Sequence, residues 1–465
     1  MLEYFLPSEN NDTAELLRRY ERSLRESRSV YFDAEEIESI ADHYIMKENL
    51  PACRRVVALG ERLHPSNTLI VFLKVKLLYA EGNFDLALQT VRELERMEAD
   101  SEYFIWEGMI LLKQGWIDDA KKVFWRAVDE ERGQKGMVCA DIAAYLIHES
   151  PLLDDAVPFM ERAHELNPDD LSVLSDLALL YHRLARYEDA VAVTEKNLDI
   201  DPYQEYEWYR MGELLGNLHR YEEAVRAFDF ALSIDENFVE AYLSKGQMLF
   251  DMGSYIKAAE VYEMLADMPD LQGDRAGVLL FIAECYERVE DYAVAEGYYR
   301  RAYMLDDKNA DACTGIAVCL LELGDYGESL KYLYRATEIN PSDFDTWIYI
   351  ADCCANMDML DDAIEAYRRS LFFNWKQPEV LMSMGGLLVD LGEVPEALAH
   401  LQEAEQMDAN MKGLASLLTV AYSQMGDFKT ASYYMRKAMA IEKEKMQELM
   451  DIFSSDIDWE KMLEG

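Results

Sequence analysis

The chain has 465 residues, half of them apolar, with 90 acidic against 45 basic side chains and a net charge of −45. That balance disfavours direct binding to a nucleic-acid backbone, which needs clustered Lys and Arg, and disfavours anionic membrane surfaces for the same reason. No stretch approaches the roughly 20 apolar residues of a membrane span, Met1–Asn10 (MLEYFLPSEN) carries no secretory pattern, and seven cysteines without framework spacing fit a reducing, cytoplasmic compartment.

Residues 1–33 read as an N-terminal capping segment. An amphipathic helix is expected over 11–30, with Asp12 and Glu15 as its capping box. Arg18, Arg19, Arg22, Arg25 and Arg28 make it a basic island on an acidic chain. It either contacts an acidic partner, such as another copy's surface, or is a solvated cap supported by pairs such as Glu15–Arg19 and Glu21–Arg25.

From residue 34 to 445 one pattern repeats twelve times. Repeats begin near Ala34, Thr68, Ser101, Met137, Leu171, Glu205, Val239, Ala276, Ala310, Phe344, Pro378 and Lys412, at steps of 33 to 37 residues. The eighth and twentieth positions of this frame are small: Gly or Ala stands at ten of twelve repeats in each column, as at Gly212 and Ala224 of the sixth. A fixed period of this length marks a stacked-repeat solenoid. Each repeat reads as two amphipathic helices. In the sixth, Trp208, Met211, Gly212 and Leu215 share one face of the first helix, and Ala224, Phe228, Ala231 and Leu232 one face of the second. Small residues in the two columns let the backbones approach. Gly82, Gly115, Gly253, Gly324, Gly392 and Gly426 suit left-handed caps after first helices. Pro65, Pro168, Pro202 and Pro341 stop second helices.

Two connections run long, Asp129–Gly136 (DEERGQKG) and Pro269–Gly277 (PDLQGDRAG). They are expected either to flex the stack or to reach over the first-helix face, or to be tolerated surface insertions. Phe372–Pro378 carries Trp375 where proline is usual, as a docking point or a packing residue. Residues 446–465 read as a C-terminal cap, with Ile457, Trp459, Met462 and Leu463 folding back over the last repeat or left as a sticky tail.

Period, small columns and terminal prolines together resemble the tetratricopeptide repeat (TPR) family over about residues 34–445. Trp208, Gly212, Tyr221, Ala224, Phe228 and Ala231 match six family positions in one repeat, and Tyr242, Gly246, Tyr255, Ala258 and Tyr262 follow in the next. The resemblance implies an all-α, right-handed superhelical solenoid of stacked antiparallel helix pairs, whose first helices line a concave groove. The two-carboxylate clamp of some chaperone-binding members is not matched, because the fifth frame position lacks Lys in every repeat.

Chemistry is otherwise sparse. Cys285, Cys319 and Cys353 share the tenth frame position, but packed helices ~10 Å apart hold thiols too far from one another for the ~2.3 Å zinc–sulfur bond. They read as small core residues. No C-x-x-C, H-E-x-x-H, phosphate loop or nucleophile elbow occurs, so the sequence predicts no enzyme, cofactor or metal. Groove positions two, five, six, nine, twelve and thirteen instead carry aromatics among polar groups. Phe72, Tyr79, Trp106, Tyr145, Tyr206, Tyr209, Phe250 and Phe281 interleave with Asp141, Asp176, Arg210, Glu213, Gln247 and Glu284. That is the composition of a peptide-binding surface, though such aromatics also pack between neighbouring first helices. Tyr145, Tyr206, Tyr209, Arg210, Glu213, Gln247 and Glu284 are the expected partner contacts. The acidic balance favours a basic or mixed-charge protein or peptide, with an effect reaching ~8 Å at physiological salt, or else serves dispersal of a long surface. The leading expectation is a non-enzymatic scaffold or adaptor. The alternatives are a structural subunit of a larger or self-associated assembly joined through its caps, and a sensor whose solenoid changes pitch.

Overall fold

A computed structural model of the chain describes residues 11–26, 30–148, 152–269, 271 and 275–441. The C-terminal cap at 446–465, Arg28, and residues 270 and 272–274 of the second long connection lie outside them. The chain divides after Ile234 into two compact units, and all regular structure among the described residues is helical.

In the first unit α1 (Asn11–Glu26) precedes six helix pairs: α2 (Ala34–Met46) with α3 (Leu50–Leu63), α4 (Thr68–Ala80) with α5 (Phe84–Met97), α6 (Ser101–Lys113) with α7 (Ile117–Glu130), α8 (Lys135–His148) with α9 (Leu153–Leu166), α10 (Leu171–Arg183) with α11 (Tyr187–Ile200), and α12 (Glu205–Asn217) with α13 (Tyr221–Ile234). The second holds six more: α14 (Val239–Asp251) with α15 (Tyr255–Ala266), α16 (Arg275–Arg288) with α17 (Tyr292–Leu305), α18 (Ala310–Glu322) with α19 (Tyr326–Ile339), α20 (Phe344–Asn356) with α21 (Leu360–Phe373), α22 (Pro378–Asp390) with α23 (Val394–Met407), and α24 (Leu414–Gln424) with α25 (Phe428–Ile441). Nine of the twelve first helices begin at the residue the period marks. The largest shifts are of two residues: α8 starts early, at Lys135 rather than Met137, and α24 is delayed from Lys412 to Leu414 by Gly413, whose φ of 94° holds a left-handed N-cap.

The stacks are built where helices meet closely. Phe124 and Phe228 are fully buried, each with its ring against the small eighth-position residue of its own repeat, Gly108 or Gly212. The seven cysteines are all buried free thiols. Burial pushes Cys285 and Cys319 up to about 12, which makes them poor nucleophiles. Second helices end before Pro65, Pro168, Pro202 and Pro341, as the sequence predicts. Trp208 and Trp347 repeat one device: each indole N–H donates to a proline carbonyl, Pro202 at 2.8 Å and Pro341 at 3.1 Å, tying a first helix to the preceding connection. Trp375 lies 60% exposed, and Phe372, against Phe373, 82% exposed.

The frame imposes one backbone conformation whatever residue stands there. Fourteen residues after the start of eleven of the twelve repeats the chain turns left-handed: glycine does so at Gly82, Gly115, Gly253, Gly324, Gly392 and Gly426, and Glu48, Ala185, His219, Glu290 and Asp358 do so at φ of 52° to 61°. A Cβ is disfavoured there. Ala185→Gly is therefore expected to raise stability by ~1 kcal/mol, against the usual sign of an Ala→Gly change. A variant less stable than the parent in urea unfolding would contradict this.

The first-helix face is not open throughout. In repeats two to four it is filled by its own aromatics. Phe72, Tyr103, Trp106 and Tyr79 form a chain of ring contacts with centroids 5.0–5.8 Å apart. Tyr79 and Tyr145 bring their hydroxyls within 3.0 Å. Trp106 is fully buried, and Lys76 lies beneath with its ammonium 3.6 Å from both Glu38 and Asp42. The accessible first-helix surface of this unit lies on α8, α10 and α12.

Candidate partner-binding surface

The open surface of the first unit runs over α8, α10 and α12. Its upper end is roofed by the long connection that follows α7. Glu131 shapes that connection by accepting from the Gly133 N–H at 2.8 Å, the Gln134 N–H at 3.1 Å and the Ser101 hydroxyl at 2.7 Å. These bonds stabilise its carboxylate and pull it down to about 2. Lys135 donates to the Asp129 carbonyl at 2.9 Å. Gly136 then passes so close to Asn167 that an added Cβ would stand 2.6 Å from its amide nitrogen. Beneath lies a cavity of about 740 Å³, bounded by the connection, α8, the end of α9 and the start of α10. Asp141, half-buried, and Asp176, exposed, line it, and desolvation by the surrounding protein raises both carboxyls.

Below the cavity the helices are braced to each other. Arg210 reaches from α12 to α10, donating to the Ser175 carbonyl and hydroxyl at 2.9 Å each and to Glu207 at 2.9 and 3.0 Å. Ser175 also donates to Glu207 at 2.7 Å. Glu207 is 4% exposed, so the cluster is a desolvated inter-repeat clamp. One turn on, the Tyr209 hydroxyl donates to Glu213 at 2.8 Å, and Tyr206 stands 66% exposed.

The seven expected contacts thus fall into distinct environments. Tyr206, Tyr209 and Glu213 share the accessible face of α12. Arg210 sits beside them with its guanidinium committed to the clamp. Tyr145 is 3% exposed and belongs to the aromatic filling of repeats two to four. Gln247 and Glu284 lie in the second unit, both exposed; Gln247 donates to Asp251 at 2.7 Å. Near them Phe281 stacks on Tyr262 at 5.3 Å, and the Arg288 guanidinium lies 5.8 Å from the Phe250 ring. The sequence reading passed over Glu207, although its place three residues before Arg210 on one helix face was a usable signal. It also gave no role to Glu131, because a carboxylate that folds its own connection has no pattern in sequence. On α12 this face presents the exposed Tyr206 ring beside the half-buried Tyr209–Glu213 pair.

Comparison with known proteins fits the repeat architecture. A model described as tetratricopeptide repeat matches residues 208–238. One described as the cilia and flagella-associated protein 70 C-terminal domain matches 231–450. The chain is similar to BBSome complex member BBS4 of Bos taurus, 28% identical over 134 residues, 29% of this chain and 25% of that protein. It is also similar to tetratricopeptide repeat-containing protein trd-1 of Caenorhabditis elegans, 27% identical over 108 residues, 23% of this chain and 14% of that one. The chain thus spans a quarter or less of the curated relatives it matches. Among solved structures, Pseudomonas aeruginosa pilF aligns with a TM-score of 0.41 and 20% identity, over 47% of this chain and 98% of its own.

Proposed function

We propose, from the premise that this chain is a tetratricopeptide-type repeat protein, that it is a non-enzymatic scaffold holding a segment of a partner protein on the first-helix face of repeats four to six. The observation that supports this most is the contrast along one face. Repeats two to four close over their own aromatics, whereas α12 presents Tyr206 at 66% exposure beside the Tyr209–Glu213 pair. Rings with adjacent hydrogen-bonding groups make anchor points on protein-binding surfaces. The clamp of Arg210, Glu207 and Ser175 fixes the spacing between α10 and α12, so the contacts are preorganised. The net charge of −45 favours a segment carrying Lys or Arg.

The test compares the wild-type chain with Tyr206→Ala/Tyr209→Ala/Glu213→Gln as bait in native lysate. A stoichiometric partner held by the first and lost by the second, with helicity unchanged, is the expected result. Retention by both rejects the face. If the partner is instead lost from Phe372→Ser/Trp375→Ser, the reading shifts to a subunit joined through its exposed second-helix ends. BBS4, by its printed name a complex member, lends that alternative some weight.

A further inference from the structure

We infer that the cavity under the Glu131–Gln134 connection is the anchor pocket for a lysine or arginine side chain of the bound segment. The inference rests on the first-helix face being the partner surface and names the chemistry of its occupant. Three features of the cavity carry it.

First, the pocket is built. The connection that roofs it is folded on Glu131 and pressed against Asn167 through Gly136, so the space is a property of the fixed backbone. At about 740 Å³ it exceeds what one side chain needs and admits the flanking backbone as well.

Second, its walls suit a long cationic side chain along its length. Met137, Ala140, Ala144 and Val173 offer apolar surface to the methylene stem. Asp141 and Asp176 stand for the charged head, from adjacent repeats.

Third, those carboxylates lack compensation. Asp141 is half-buried and, among the described residues, forms no hydrogen bond and no ion pair. Asp176 has only the field of Arg210, whose guanidinium bonds to Ser175 and Glu207. A partner cation would compensate the half-buried Asp141 and pair with the exposed Asp176 at the mouth of the same cavity. Arg132 and Lys135 also line the cavity, on the connection, where they would meet the partner's carbonyls or acidic neighbours. A neutral or acidic anchor leaves the two aspartates unpaired and is selected against.

The experiment uses the full chain and a displayed random dodecapeptide library, followed by anisotropy titrations of the most enriched peptide. The expected result is a Lys or Arg fixed at one peptide position. Affinity should fall at least tenfold on replacing that residue by norleucine, and to a similar extent with Asp141→Asn/Asp176→Asn. The peptide-side change needs no protein variant to fold, and the two asparagines are isosteric. Enriched peptides with no fixed cation, or equal affinity for the asparagine variant, overturn the pocket. If those same peptides still weaken with Tyr206→Ala, the face stands and only the anchor fails. Insensitivity to both sets of changes rejects both.

Discussion

Gly212→Ala is expected to destabilise the sixth repeat by ~1–3 kcal/mol, although Ala is the better helix former in isolation. A methyl at this position would stand 2.5 Å from Cε1 of Phe228, a ring with no solvent exposure. The ring belongs to α13 and faces α12, so it cannot yield without parting the two helices. Phe228→Leu alone removes buried surface and is also expected to cost stability. In the double variant the smaller side chain makes room for the methyl, so the two losses should not add, with a coupling of ~0.5–3 kcal/mol. Gly108→Ala should behave like Gly212→Ala, since its methyl would run into the Phe124 ring. Gly297→Ala is the control of opposite sign. Nothing lies within 4 Å of a Cβ there, and removal of a mid-helix glycine from α17 should stabilise by ~1 kcal/mol. Long repeat arrays need not unfold in one step, so amide exchange within the affected repeat is the appropriate reading. Additive losses in the Gly212→Ala/Phe228→Leu pair would mean that the glycine column is not a contact requirement.

The same column explains why the fold was legible. Glycine or alanine at the eighth and twentieth positions is a packing constraint that recurs in ten of twelve repeats in each column, and a constraint that recurs with the period stands out against the other positions. Helix starts such as Ala34, Thr68 and Phe344 followed from it. What failed to show in sequence was whatever the frame imposes without a characteristic residue. Six of the left-handed turns carry glycine, but Glu48, Ala185, His219, Glu290 and Asp358 take the same turn with side chains that give no sign of it. The surface was less legible still. Frame position assigns a direction relative to one helix, and it placed Trp106, Tyr145 and Tyr206 in the same groove. Exposure depends on what neighbouring repeats bring to the spot. Trp106 is sealed between Phe72 and Tyr79, while Tyr206 stays open. Arg210 illustrates the matching ambiguity of charge: its sequence position fits a ligand contact, and its geometry makes it a brace between α10 and α12.

Glu95→Gln is expected to change how stability responds to pH, and to stabilise the protein at high pH. Glu95 on α5 has 9% side-chain exposure and meets Glu107 of α6, which has 5%. One Glu95 carboxylate oxygen is buried without a hydrogen-bond partner among the described residues. Compensation is uneven, since Arg92 donates to Glu107 at 2.7 Å while Arg126 approaches Glu95 only to 3.9 Å. Burial first, and then the hydrogen bond and like charge of Glu107, push the Glu95 carboxyl well above its ordinary value of 4.5. A group raised in the folded state stabilises fully below its unfolded value, and that contribution is lost as pH rises through its folded one. Each unit of elevation is worth ~1.4 kcal/mol. Wild type should therefore lose stability from about pH 4.5 upward through this site. The glutamine variant keeps a neutral group of the same shape and loses that slope. Urea midpoints at pH 5 and pH 9 separate the two: near-equal stability at the lower pH and a clear advantage for Glu95→Gln at the higher one are expected. Arg126→Met should act in the reverse sense, because it removes the stronger of the two cations, Arg126 and Arg92, that favour the ionised form of Glu95. Parallel pH profiles for wild type and Glu95→Gln would show instead that the carboxylate is ionised in the fold, with Arg126 neutralising it from 3.9 Å.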